Sequence, residues 1–171
     1  MSEVLDIAVA IIRREEGYSA TPYRCTAGVW TIGIGTVIDW PDAVVALDSA
    51  EGRGKISADN PLLRITPELA EAMLRRRIER DHGRLASHHR SWYGQQTPER
   101  QAVLLSMAYQ LGIVGLLGFN RMLAALERGD HTTAAFEMLD SRWARQTPAR
   151  AERQAEAMRT GDISFWINGH Q

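Results

Sequence analysis

The sequence is short of several things at once. It has one cysteine, Cys25, so an internal disulfide and any site built on several thiolates are excluded. Net charge is nearly absent: 20 Lys and Arg stand against 21 Asp and Glu, or −1 in all. A dedicated nucleic-acid binder is usually clearly basic, so no nucleic-acid partner is expected. No apolar run approaches the roughly 18 residues that a membrane span needs, and no stable membrane insertion is expected. The nearest candidate, Ile7 to Ile12, is bounded by Asp6 and by Arg13 and Arg14. It lacks a basic leader and a small-residue cleavage site, so no signal peptide is expected. Lysine is almost missing too, since Lys55 is the only one. There is no internal repeat and no low-complexity stretch.

What is there suffices for a folded core. Hydrophobic residues make up 44% and charged residues 24%, ordinary for a globular chain and too balanced for disorder. A length of 171 residues gives one sizeable core, or two small lobes on one chain. No apolar excess calls for a partner subunit, so a monomer is expected. Charge is uneven: residues 1–60 carry nine acids and five bases, and the rest carries 12 acids and 15 bases. The arginine richness reads as coding bias, or as a surface that steers an anionic polymer without specifying it.

Ser2 can cap a helix opening near Glu3, and Val4, Ile7, Ala8 and Ile11 share one face at helical spacing. Gly17 stops that helix just past Glu16. From Tyr23 to Gly35, aromatic and β-branched residues flank a Thr26-Ala27-Gly28 turn, which predicts a β-hairpin. Gly33 and Gly35 predict a bend there or a close backbone approach. Trp40-Pro41-Asp42 can open a short helix through Ala43–Leu47, with a loop at Glu51–Lys55. The pairs Thr66-Pro67, Thr97-Pro98 and Thr147-Pro148 predict three helix starts, threonine capping and proline in the first helical position. The first runs to about Asp81. The second carries Ala102, Leu105, Ala108 and Leu111 and ends at Gly112 and Gly115. Short helices come next over 119–127 and 132–141.

The expected fold is therefore α+β and mainly helical, with two lobes in a single domain, 1–171. Residues 14–65 form a small lobe containing the hairpin and 66–81 a connecting helix. Residues 82–171 form a helical lobe, on which helix 2–13 packs. A cleft between lobes is a common place for an active site.

Glu16 ends the first helix, where the macrodipole disfavours negative charge, which suits a carboxyl that must hold a proton as a general acid. A lone glutamate at a helix end is ordinarily a solvated structural residue; here its neighbours in the chain change the reading. Glu16-Gly17-Tyr18, Pro22-Tyr23-Arg24 and Gly28-Val29-Trp30-Thr31-Ile32-Gly33-Ile34-Gly35 resemble the active-site segment of the T-even phage lysozymes, the endolysins of glycoside hydrolase family 24. Thr66 to Asp81 resembles their connecting helix. Ala108-Tyr109-Gln110-Leu111-Gly112, Gly118-Phe119, Ser141 to Ala151 and Met158 to Gly161 resemble their C-terminal lobe. Residues 39–62 and 82–97 diverge. The motifs are specific together and weak singly.

The resemblance implies a bilobal muramidase cutting the β-1,4 bond between N-acetylmuramic acid and N-acetylglucosamine. Its partner would be peptidoglycan glycan strands. Carried over, Glu16 is the general acid and Thr31 helps position water on the opposite face. Inversion needs about 6.5–9.5 Å between the two catalytic groups. Arg150 falls where the family pairs an arginine with that glutamate. Tyr109 and Gln110 would line the groove from the helical lobe and Val37 from the hairpin side, with Gly33 and Gly35 in support. No cofactor or metal is implied, since the chemistry uses side chains and water. The implied setting is lysis at the end of a phage cycle. The enzyme would wait in the host cytoplasm until a separate holin opens the membrane.

One position departs from the pattern. Where the family has an aspartate, this sequence has Cys25, and a thiol balances positive charge on a sugar less well than a carboxylate. Three readings stay open. Cys25 orients water or attacks the anomeric carbon; activity survives on Glu16 and Thr31 alone; or the site is disabled and only binds glycan. Asp39 and Asp42 are candidate stand-ins. A muramidase toxin aimed at rival bacteria is a further alternative.

Other residues carry less. His82, His88 and His89 read as a solvated loop rather than a metal cluster. His131 beside Asp130 reads as a surface or capping residue, and Trp143 as core. Trp30 reads equally as groove wall or hairpin packing. Gly33-x-Gly35 lacks the lysine and following helix of a phosphate loop.

Overall fold

The computed structural model describes residues 3–25, 28–38 and 64–168. The Ser2 cap, the Thr26-Ala27 half of the turn, the short helix and loop expected between 40 and 55, and Asp39 and Asp42 lie outside the described residues.

Helix α1 (Glu3–Glu16) buries Val4, Ile7, Ala8, Ile11 and Ile12 along one side. Acids in its first turn and Arg13 and Arg14 in its last complement the macrodipole. Gly17 ends it at φ 70°, donating its N–H to the Arg13 carbonyl at 3.1 Å. A left-handed residue at that point favours glycine, which has no Cβ to clash.

Three antiparallel strands come after it: β1 (Ser19–Arg24), β2 (Trp30–Gly33) and β3 (Thr36–Val37), in the order β1-β2-β3. The hairpin is thus extended by a third, two-residue strand, too short to show a pattern in the sequence. Pro22 fits because β1 is an edge strand. Tyr23 pairs with Thr31 and Arg24 with Trp30, while Thr31 pairs onward with Val37. The register shifts between Ser19 and Tyr23. The Gly28 N–H donates to the Cys25 carbonyl at 2.8 Å and closes the turn.

Helix α2 (Pro67–His88) runs past Asp81, where the sequence predicts its end. Leu85 continues the buried stripe of Ile78 one heptad on, and of the polar residues between them Asp81 and His82 find partners. His82 is one of them: it lies in this helix, not in a loop, with Nδ1 2.7 Å from the Tyr93 hydroxyl. The remaining helices are α3 (Pro98–Leu117), α4 (Asn120–Glu127), α5 (His131–Leu139), α6 (Arg142–Gln146), α7 (Pro148–Thr160) and α8 (Ser164–Ile167). The short α6 and α8 have no counterpart in the sequence reading. At five and four residues they carry no usable periodicity.

Gly112 takes φ 74°, ψ 160° inside α3 and breaks it, while helical residues resume to Leu117. By length and hydropathy α3 is long enough to cross a membrane. Yet residues Ala102 to Tyr109 are all buried within the protein, as in a core helix.

The chain divides into two compact units, Ile12–Arg77 and Ile78–Gln171, the latter with Met1–Ile11. The first is cored by Ile12, Ile32, Ile34, Ile65, Ala70 and Leu74. The second is cored by Leu104, Leu105, Met107, Met122, Trp143 and Met158.

Candidate active site

Glu16 is the last residue of α1 and is half-buried. The turn between β2 and β3 comes against it. A Cβ built on Gly35 would stand 3.1 Å from Glu16 Oε2 and 3.2–3.3 Å from its Cγ and Cδ. Gly35 also has φ +69°, so two separate constraints ask for glycine there. Gly33 is required by packing, since a Cβ on it would lie 2.9 Å from Ile65 Cδ1 and 3.0 Å from Ala70 Cβ. The two glycines thus make the close approach that the sequence suggests. One admits the wall of α2, the other the carboxyl of Glu16.

Cys25 and Thr31 are joined through one acceptor. The Val29 carbonyl takes the Cys25 N–H at 3.0 Å and the Thr31 hydroxyl at 3.1 Å. Thr31 is only 3% exposed. Its hydroxyl hydrogen is committed to Val29, leaving the oxygen to act as an acceptor towards anything else. Cross-strand pairing puts Tyr23, Thr31 and Val37 in one row on one face of the sheet. Cys25 forms no disulfide and is half-buried, two residues beyond Tyr23.

Tyr23 belongs to the motif, but the sequence reading gives it no role. Its phenol is held above its usual range, chiefly by burial, then by the negative charges that Glu16 and Cys25 would carry. It is therefore a neutral hydroxyl within electrostatic reach of both. The available signal was its alternation with Cys25, which places i and i+2 on one strand face. Trp30 is a packing residue: the Arg24 guanidinium, its register partner, lies over the indole at 4.7 Å.

Tyr109, Gln110 and Arg150 belong to the helical unit. Tyr109 is 6% exposed, whereas Gln110 is exposed and accepts the Trp143 indole N–H at 2.7 Å. Trp143 is core, edge-on to Phe119 with centroids 6.2 Å apart. Beside them is a cavity of about 670 Å³, with Phe119, Met122, Glu137, Arg142 and Trp143 in its walls. Arg150 is buried and donates from Nη2 to the Ser106 carbonyl at 3.3 Å and the Ser106 hydroxyl at 3.2 Å. Asp130 caps α5 by accepting the Thr133 N–H at 2.9 Å, and His131 Nε2 lies 2.9 Å from Gln96 Oε1. His89 stacks near Trp92 at 5.1 Å.

The model of the phage lysozyme family matches residues 13–157. The chain belongs to the phage lysozyme family. Membership makes it an enzyme of the lysozyme class, a glycoside hydrolase, and the mainly helical α+β fold is lysozyme-like. It is 33% identical over 165 residues to the pre-baseplate central spike protein Gp5 of Enterobacteria phage T4, covering 91% of this chain. The chain spans only 28% of that spike protein's length. It is 27% identical over 163 residues to the probable T4-type lysozyme 1 of Dictyostelium discoideum, covering 91% of this chain and 95% of that one. The probable T4-type lysozyme 2 of the same organism is 26% identical over 164 residues, covering 90% and 94%. As a phage lysozyme family member, the chain holds Glu16, Cys25, Thr31, Gly33, Gly35 and Val37 in one unit, and Tyr109, Gln110 and Arg150 in the other.

Proposed function

We propose that the chain is a muramidase, hydrolysing the β-1,4 bond between N-acetylmuramic acid and N-acetylglucosamine in peptidoglycan. Glu16 gives its proton to the glycosidic oxygen as the bond to the anomeric carbon breaks. Water adds to that carbon from the opposite face and loses a proton to solvent, from which Glu16 is reprotonated. Thr31 accepts a hydrogen from the attacking water, so that a water lone pair faces the sugar. Cys25 stands beside it in the aspartate's place and helps to orient the same water. Arg150 supports the reaction, as the family resemblance implies. Val37, Tyr109 and Gln110 are the proposed glycan contacts.

The observation that carries this reading is the seat of the Glu16 carboxyl against Gly35, in the unit where Cys25 and Thr31 share the Val29 carbonyl. The biological setting proposed is host lysis at the end of a phage or prophage cycle. The protein would remain in the host cytoplasm until a separate holin opens the membrane. The similarity to a baseplate spike protein favours a second setting for the same chemistry, carried on the phage particle. Probing purified particles for this chain separates the two.

The deciding experiment is release of new reducing ends from purified peptidoglycan, with mass spectrometry of the fragments. The wild type is expected to release muropeptides ending in reducing N-acetylmuramic acid. Glu16→Gln should lose at least about a hundredfold in rate. Cys25→Asp should retain or raise activity, and Cys25→Ser should keep part of it. A trapped sugar–thioether on Cys25 would replace the water mechanism by a covalent one. Glycan binding with no release from the wild type would mean a disabled site.

A further inference from the structure

Tyr18, the second residue after Glu16, is 42% exposed, yet its hydroxyl is committed to the protein. The phenol donates to the Ile65 carbonyl at 2.5 Å, 47 residues along the chain. An exposed tyrosine could satisfy that hydroxyl with water and keep its side-chain freedom, so the fixed partner asks for a reason. Gly17, between Glu16 and Tyr18, takes φ +70° with nothing within 4 Å of a built Cβ. It is an unpacked joint with glycine's conformational freedom, directly beside Glu16. Tyr18 is the first side chain beyond that joint.

What it holds leads back to Glu16. The Ile65 N–H donates to the Ala20 carbonyl at 2.9 Å, so both backbone groups of Ile65 are bound by residues 18–20. This is where β1 is least regular: Ser19 pairs with Gly33, and the register shifts before Tyr23. The Ile65 side chain is buried and lies against Gly33, where a built Cβ would meet its Cδ1 at 2.9 Å. Two residues on, Gly35 faces the Glu16 carboxyl. The contacts close a ring, from Glu16 through Tyr18, Ile65 and Gly33 to Gly35 and back, wholly inside the unit Ile12–Arg77. We propose that Tyr18 is a positioning residue for the reaction: its bond to the Ile65 carbonyl closes this ring and fixes the seat of the Glu16 carboxyl. This rests on the reading that Glu16 is the acid. The Tyr18 hydroxyl is committed to Ile65 and takes no part in the chemistry, so its loss acts on kcat rather than KM.

The test is a double-mutant cycle on the full chain, with kcat and KM measured on peptidoglycan oligomers and a melting curve at every corner. The variants are Tyr18→Phe, Glu16→Gln and the two combined. Tyr18→Phe removes only the hydroxyl and is expected to lower kcat about fivefold, with KM changed by less than about twofold. In the Glu16→Gln background no acid proton is left to position, so Tyr18→Phe should leave the residual rate unchanged. Asp130→Ala is the stability control: it removes the α5 cap in the other unit and should lower the melting temperature with kcat intact. An equal fold-loss from Tyr18→Phe in both backgrounds overturns the proposal. So does a fall in melting temperature after Tyr18→Phe with kcat unchanged, or a kcat loss as large in Asp130→Ala. If the wild type releases no reducing ends, or Glu16→Gln keeps the wild-type rate, the reading of Glu16 fails and the proposal with it. The two corners with Tyr18 intact tell that outcome from the others. Should Tyr18→Phe not fold, Ile65→Val carries the same cycle. It deletes the Cδ1 that meets Gly33, keeps both backbone bonds, and should lower kcat about twofold.

Discussion

Glycine at position 35 is where a missing side chain leaves room for the Glu16 carboxyl. An added Cβ would press on three atoms of the Glu16 carboxyl end, and the flexible carboxyl, not the backbone, is the partner that gives way. Gly35→Ala is expected to cost about 1 kcal/mol through its positive φ and to lower kcat about tenfold or more by displacing Glu16, the proposed acid. Gly129 supplies the control. It has φ +70° with nothing within 4 Å of a built Cβ. Gly129→Ala should lose comparable stability and no activity, so kcat and melting temperature of the two variants separate strain from site geometry. Equal kcat in both would remove Gly35 from the site. At this scale the sequence suggests a close approach but does not name Glu16 as the group approached, because helix and turn are distant in the chain.

The three Thr-Pro helix starts are legible because proline is pre-organised for a first turn, and α2, α3 and α7 do begin at Pro67, Pro98 and Pro148. The capping itself differs among them. Thr66 Oγ1 accepts the Leu69 N–H at 3.2 Å, whereas Thr97 makes no side-chain cap. Thr147 turns its hydroxyl back to donate to the Trp143 carbonyl at 3.2 Å. Thr66→Ala should therefore cost about 1 kcal/mol, and Thr97→Ala less than about 0.5 kcal/mol. Chemical denaturation at constant slope resolves the two. A Thr97→Ala loss as large as that of Thr66→Ala would count against the geometry. The end of α2 is illegible for the opposite reason. Asp81-His82-Gly83-Arg84 looks like a solvated loop until Tyr93, from beyond the helix, is known to meet His82.

For the molecule as a whole, histidine links stability to pH. Burial lowers the pKa of His82. Burial, then the Arg100 charge, lowers that of His131, with Asp130 opposing. Both are thus held neutral in the fold, while the unfolded chain takes up protons near its ordinary value of about 6.5. The stability they contribute is present above that pH and is lost as pH falls through the lower folded values. Melting temperature should decline between pH 7 and pH 5. A His82→Gln, His131→Gln double variant should show a flatter decline over the same window. An unchanged slope would mean that other groups govern the acid limb.

Taken by itself, the sequence determined what depends on near neighbours in the chain. That includes the helix starts at Thr-Pro, the stop at Gly17, the hairpin, the mainly helical character, and the motif that carries the family. These arise from backbone propensity, capping and periodicity, which act over a few residues. Only the tertiary structure decided which distant groups meet. It brought Glu16 to Gly35, joined Cys25 and Thr31 through the Val29 carbonyl, and set Arg150 and Gln154 on Ser106. Those contacts join segments up to 48 residues apart, where burial and polar satisfaction choose the partner and local spacing holds no record of it.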